Sequence, residues 1–186
     1  PQGGNLFSVL LQKDGFGIFD DVNAFAATGT YAHYFPLSKK LSFGAKLKGR
    51  YTFIRAEQPY THVSALGYSP DFLRGYEFYV IDGMDYAYAK THFQFQIFQK
   101  KINWGRYMFI PQFRLMPLKV YLAINNDFGY ANAPFNGGRS TLSNEFLWGR
   151  GIGLDFVVFQ DKVWQFEYSW NHLGEHDFFL HFEFSF

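Results

Sequence analysis

Apolar and polar residues alternate with period two along most of this chain, and that pattern narrows the fold more than any other feature. In LSFGAKLKGRYTF (41–53) one face carries Leu41, Phe43, Ala45, Leu47, Gly49, Tyr51 and Phe53, and the other Ser42, Gly44, Lys46, Lys48, Arg50 and Thr52. Successive side chains of a strand point to opposite faces, so this strand has one apolar and one basic face. In HFQFQIF (92–98), Phe93, Phe95 and Ile97 oppose His92, Gln94 and Gln96. In VWQFEYSW (163–170), Trp164, Phe166, Tyr168 and Trp170 oppose Val163, Gln165, Glu167 and Ser169. In DFFLHFEFSF (177–186), Phe178, Leu180, Phe182, Phe184 and Phe186 oppose Phe179, His181, Glu183 and Ser185.

About eight such segments are predicted, near 5–13, 23–36, 41–54, 84–99, 106–130 (regular only from Leu115), 145–159, 163–171 and 177–186. No helical periodicity and no low-complexity linker interrupts them, so the chain reads as one all-β antiparallel domain over 1–186. PLSKK (36–40) and QDK (160–162) are tight turns, whereas 55–83 and 131–144 are long loops rich in Gly, Pro and Asn. Short turns at one end and long loops at the other are the pattern of an outer-membrane barrel.

A soluble β-sandwich also alternates. Two features count against it. Its strands are usually about 5–6 residues, while several segments here approach the ~9–11 that a tilted strand needs to cross a bilayer. The apolar faces also end in aromatics, Tyr51 and Phe53, Trp164 and Trp170, Phe184 and Phe186, as an interfacial girdle would. Composition agrees: 25 Phe and 13 Tyr among 186 residues make Phe, rather than Leu or Val, the main apolar side chain.

With 17 Lys and Arg against 16 Asp and Glu, the net charge of +1 gives no reason to expect a nucleic-acid partner. The absence of cysteine excludes disulfides, thiolate metal sites and a cysteine nucleophile. No apolar run approaches the ~20 residues of a transmembrane helix. The sequence opens on Pro1 with no leader-like segment, as expected of a mature protein or a piece of a longer one.

One stretch stands apart. DFLRGYEFYVIDG (71–83) sets an arginine and a glycine among aromatics, at the distal end of the first long loop. LRGY, residues Leu73, Arg74, Gly75 and Tyr76, resembles the (V/I/L)-R-G-(F/Y) motif of the BamA/TamA superfamily, the bacterial surface antigen family. Five alternating segments follow it, as five strands follow that loop in the family. NNDFGYA (125–131) resembles a second family motif, Asp-x-Gly on the second strand after the loop, matched by Asp127 and Gly129. Alternation sets Asp127 on a face with Lys119, Tyr121, Ala123 and Asn125, opposite Leu118, Val120, Leu122 and Ile124. Phe182, Phe184 and Phe186 are similar to the terminal-strand signal of such barrels.

The resemblance implies the C-terminal half of a sixteen-stranded transmembrane barrel in the outer membrane of a Gram-negative bacterium. It implies a loop, about 55–83, that folds into the lumen and is pinned by Arg74 to Asp127, with Tyr76 and Phe78 packing on interior side chains. The implied function is protein insertion or translocation at the membrane through a lateral seam at the last strand. It needs no covalent step and no cofactor. The implied partners are the lipid bilayer, unfolded outer-membrane clients or a secreted passenger, and periplasmic or lipoprotein accessory subunits. Two positions depart from the family. Where it often has an inward Glu on the strand after the loop, the nearest residues here are His92 and Thr91, so Arg74 is expected to have one acidic partner. His181 stands where the terminal signal usually has Gly.

The alternative is a complete eight-stranded barrel serving as a small pore, an adhesin or a lipid-modifying enzyme. Ser140, Ser143 and the scattered histidines show no spacing of a nucleophile with its base. NHLGEHD (171–177) gathers His172, Glu175, His176 and Asp177, types that can bind a divalent metal, but in a short loop where solvated side chains are expected.

Overall fold

A computed structural model of the chain describes residues 3–16, 22–68, 71–103, 105, 109, 115–135, 140–158 and 162–184. Ten strands occur in them: β1 (Gly4–Asp14), β2 (Ala24–Pro36), β3 (Leu41–Thr52), β4 (Ser64–Leu66), β5 (Ile81–Asp82), β6 (Asp85–Asn103), β7 (Leu115–Asn132), β8 (Phe146–Val158), β9 (Lys162–Asn171) and β10 (His176–Phe184). Eight form one antiparallel sheet in the order β1-β2-β3-β6-β7-β8-β9-β10. A sandwich would divide them between two packed sheets. β1 and β10 are the two edges and do not pair with each other, so the sheet is open.

The alternating segments became strands with shifted limits. The predicted 84–99 segment runs on to Asn103, past a register shift between Gln96 and Phe98 that turns Ile97 and Phe98 outward in succession. The predicted 106–130 strand begins at Leu115; its earlier part, most of the 160–162 turn and Phe186 lie outside the described residues. Within the first long loop, a 3-10 turn (Tyr60–His62) and the short β4–β5 ribbon were not anticipated. These pieces are too short to show a periodicity.

The two faces of the sheet are inverted relative to a sheet folded in water. Phe93, Phe95, Ile124, Ile152, Leu154, Tyr168, Phe178 and Leu180 share the outer face and are exposed by between 37% (Leu154) and 60% (Phe178). The inner face buries Asn125, Asp127, Asp155, Gln165, Glu167, Ser169 and Asn171, none more than 7% exposed. Burial of unpaired polar groups is costly, so the inner face must be hydrogen bonded to persist.

An apolar core lies on that inner face, and the long loop builds it. Leu66, Leu73, Tyr76 and Ile81 are buried from the loop side. They pack with Tyr86 and Tyr88 of β6, Ala131 of β7 and Leu147 of β8. β4 and β5 pair across the base of the loop, and Gly83 N–H donates to the Val63 carbonyl at 2.7 Å, closing it. The loop is therefore a plug held by packing at the loop end of β6–β8. Leu66→Ala should weaken its docking by about 2–5 kcal/mol. The check is faster protease cleavage between residues 53 and 84 with an unchanged β-sheet circular dichroism signal.

Candidate functional site

The LRGY tetrapeptide lies across the inner wall, and each of its four residues meets a different part of it. Leu73 is buried over Gly129 of β7, where a Cβ would overlap the leucine side chain. The Arg74 carbonyl oxygen occupies the space that a side chain at Gly149 of β8 would fill. Gly75 has φ +75°, a left-handed conformation in which a side chain is strained. A Cβ there would also lie 2.8 Å from the Trp170 carbonyl carbon, so the chain can press on β9 only as glycine. Asn171 Nδ2 donates to the Gly75 carbonyl at 2.9 Å. Tyr76 is buried, and its hydroxyl meets His172 Nδ1 in the β9–β10 turn.

Arg74 joins two strands through two carboxylates. Its backbone N–H donates to Asp127 Oδ2 at 3.1 Å, and one terminal guanidinium nitrogen donates to Asp127 Oδ1 at 3.1 Å. Its Nε donates to Glu167 Oε2 at 3.0 Å, with Oε1 2.9 Å away. Both carboxylates are fully buried, while the arginine side chain is 14% exposed. Burial opposes the charge on Arg74, but the Asp127 and Glu167 carboxylates outweigh it and hold the guanidinium above its ordinary pKa. Lys90 Nζ of β6 lies 3.8 Å from Asp127 Oδ2, so two cations face two anions.

The expectation of a single acidic partner is thereby corrected. The second acid is Glu167 on β9, not a residue of β6. Thr91 faces outward and donates its hydroxyl to the Asn126 carbonyl at 3.1 Å. His92 faces inward but contacts Asn125 Oδ1 and lies 3.5 Å from Asp155 Oδ2. It reaches the arginine indirectly, because Asn125 Nδ2 donates to Glu167 Oε2, which also accepts from Gln165 Nε2 at 3.1 Å. The missed signal was available in β8. In GRGIGLD (149–155) glycine recurs at 149, 151 and 153 on the inner face, and Gly151 and Gly153 face Ser169 and Glu167 across the strand pair. A wall stripped of side chains marks where another chain segment approaches.

Further contacts fix the loop on either side. Asp71 accepts from Tyr88 at 2.9 Å and pairs with Lys48. Burial raises the Asp71 pKa, but the hydrogen bonds from Lys48 and Tyr88 outweigh that and leave it below the usual carboxylate value. Glu77 lies 3.7 Å from His181 Nε2 on β10, and the Phe72 ring stacks on His181 at 5.4 Å. Phe78, expected to pack inside, is 78% exposed, with its ring 5.3 Å from that of Phe179. It follows the tightly held Tyr76 by two residues, where the chain has already turned off the wall. In the β9–β10 turn, Glu175 accepts from the Tyr79 hydroxyl at 2.7 Å and from Asn171 at 2.9 Å. That turn clasps the loop, and among the described residues no cluster of metal-ligating side chains is found. Phe182 is exposed on the outer face of β10, Phe184 ends that strand, and Phe186 lies outside the described residues.

Comparison of the chain with protein-family models, with curated proteins and with solved structures finds no match.

Gly149→Ala should push the Arg74 carbonyl off the wall and loosen the loop. Hydrogen exchange at residues 73–76 should speed up, while the amides of β8 keep their protection. Asp71 gives a pH-dependent prediction. Because its pKa in the fold lies below the free value of about 3.9, it adds stability to the loop above that pH. This contribution is lost as pH falls through the lowered value. Asp71→Asn should therefore make the loop protease-sensitive already at neutral pH, where the native loop resists.

Proposed function

We propose that this chain is the C-terminal part of a transmembrane β-barrel of the Gram-negative outer membrane, acting in insertion or translocation of other proteins. The resemblance of LRGY and Asp-x-Gly to the BamA/TamA superfamily suggests that role, and the Arg74–Asp127–Glu167 cluster carries it. In the proposed role the fixed loop braces the inner wall beside the edge where a client strand adds.

The supporting arrangement is specific. Apolar side chains cover the outer face and buried polar groups the inner face, the distribution a bilayer requires. β10 is an edge strand, and an unpaired edge offers a row of backbone donors and acceptors to an incoming strand. The loop reaches that edge through Glu77 and Phe72 on His181 and through Phe78 on Phe179. The proposed cycle is therefore mechanical: a client strand pairs with β10, and the pinned loop keeps β7–β9 rigid while it does. No covalent step and no cofactor is involved. The proposed partners are the bilayer, unfolded clients or a secreted passenger, and periplasmic or lipoprotein subunits. The complete eight-stranded barrel is the weaker reading, because it needs β1 paired with β10, and these are the two edges of the sheet.

Removing Arg74 would strand two buried carboxylates, a loss of about 3–5 kcal/mol for such buried pairs. In the full-length protein reconstituted into vesicles, Arg74→Ala, Asp127→Ala and Glu167→Ala should each slow assembly of client barrels while the protein itself stays inserted. Unchanged client assembly in all three variants would overturn the proposed role of the cluster.

A further inference from the structure

Arg74 has two carboxylates, but a second arginine on the same wall has none. Arg150 lies on β8 with the opposite orientation, on the outer face between Trp148 and Ile152. Among the described outer-face residues of β7–β10, the other lysine or arginine is Lys162, at the turn end of β9. Among the described residues no carboxylate comes within ion-pair distance of Arg150. The nearby acids of the site, Asp127 and Glu167, are buried on the inner face.

The side chain is nonetheless held in a defined place. Its guanidinium carbon lies 4.0 Å from the centre of the Trp148 ring and 5.5 Å from that of Trp170. Cation–π contact of this kind attracts a guanidinium and holds it flat against the rings. It leaves the donors in the guanidinium plane unused. Arg150 Nε and Trp148 Nε1 are both buried with no hydrogen-bond partner. Two orphaned donors thus belong to successive outer-face residues of β8, and one carries a positive charge.

The position on the strand narrows the ligand. Arg150 is four residues in from Phe146, at the loop end of β8, or about 13 Å along a strand rising ~3.3 Å per residue. Trp148 is the next outer-face residue toward the loops, so stacking on it turns the arginine toward that end. That is how a charged side chain on a lipid face reaches the head-group region. The anion available at that depth is a lipid phosphate, whose oxygens match the planar donor fork of arginine.

We propose that Arg150, with the Trp148 and Trp170 rings, binds the phosphate of an anionic lipid head group in the leaflet on the loop side. This inference rests on the reading of the outer face as lipid-facing. The site lies directly behind the inner cluster: Arg150 pairs across the sheet with Trp170 and with Asn126, the neighbour of Asp127. A bound lipid would steady the wall from outside at the same height at which the loop steadies it from inside.

The test is native mass spectrometry of the full-length protein released from vesicles of phosphatidylcholine with a minor share of phosphatidylglycerol. The native protein should retain phosphatidylglycerol enriched about tenfold over its share of the vesicle, the factor one charge-assisted contact supplies. Arg150→Gln should abolish the enrichment, and Arg150→Lys, which keeps the charge but loses the fork, should retain part of it. A native protein whose bound lipid simply mirrors the vesicle composition would sink the inference, whatever the variants do. Equal enrichment in native protein and Arg150→Gln would also sink it. Both outcomes leave the membrane reading standing if the protein floats with the vesicles. A protein that does not float with these vesicles overturns that reading, and this inference with it.

Discussion

A guanidinium held between two fully buried carboxylates is the interaction on which the inner side of this protein depends. Asp127 is on β7 and Glu167 on β9, with β8 between them. Removing two carboxylates from water is expensive unless a cation and further hydrogen bonds compensate. Arg74 supplies the cation from the loop, and Asn125 and Gln165 supply donors from the wall. The sheet and the loop therefore stabilise each other: without the loop the inner face holds uncompensated charge, and without the carboxylates the loop keeps only its apolar packing and its outlying polar contacts at Asp71, Gly75, Tyr76 and Tyr79 to offset its ordering entropy.

Close contact between loop and wall needs space as well as charge. The glycines of β7 and β8 provide it, since the Arg74 carbonyl lies where a side chain at Gly149 would be and Leu73 lies where one at Gly129 would be. Backbone packed on backbone brings the carboxylates within reach of both the Arg74 amide and its side chain. Glycine usually weakens a strand. At Gly129 and Gly149 the loop fills the space left by the missing side chains, and Leu66, Leu73 and Tyr76 supply packing there.

The two arginines of this wall show how the environment assigns a role to one side chain type. Arg74 faces inward and is neutralised by its own protein. Arg150 faces outward, next along β8 from Gly149, where the Arg74 carbonyl rests, and is held by tryptophan rings that supply no counter-charge. In the proposed setting one closes a protein–protein contact within the chain and the other faces lipid. Both act on β8, so loop docking and lipid binding bear on the same strand from its two sides.

The eight strands of the main sheet, their succession and the facing of most of their side chains could be read from the sequence, because alternation is a local property and antiparallel neighbours joined in succession follow from it; the β4–β5 ribbon and the register shift after Gln96 could not. The pairing of Arg74 with Asp127 was reachable by the same counting, aided by a four-residue resemblance. Glu167 was not, although its inward orientation was plain. Its approach to Arg74 depends on how far the loop extends over the wall and on the register of β7, β8 and β9 together. His92 illustrates the converse: it is near in sequence to the expected acid, yet it is tied to Asn125 and Asp155 instead. The exposed position of Phe78 and the clasp of Tyr76 and Tyr79 by the β9–β10 turn are likewise products of the loop path. The alternating pattern was thus enough to specify a sheet with one apolar and one polar face. Which polar groups meet across it was decided by the tertiary fold, because an ion pair such as that of Arg74 with Glu167, 93 residues apart, depends on loop path and register that no local pattern encodes.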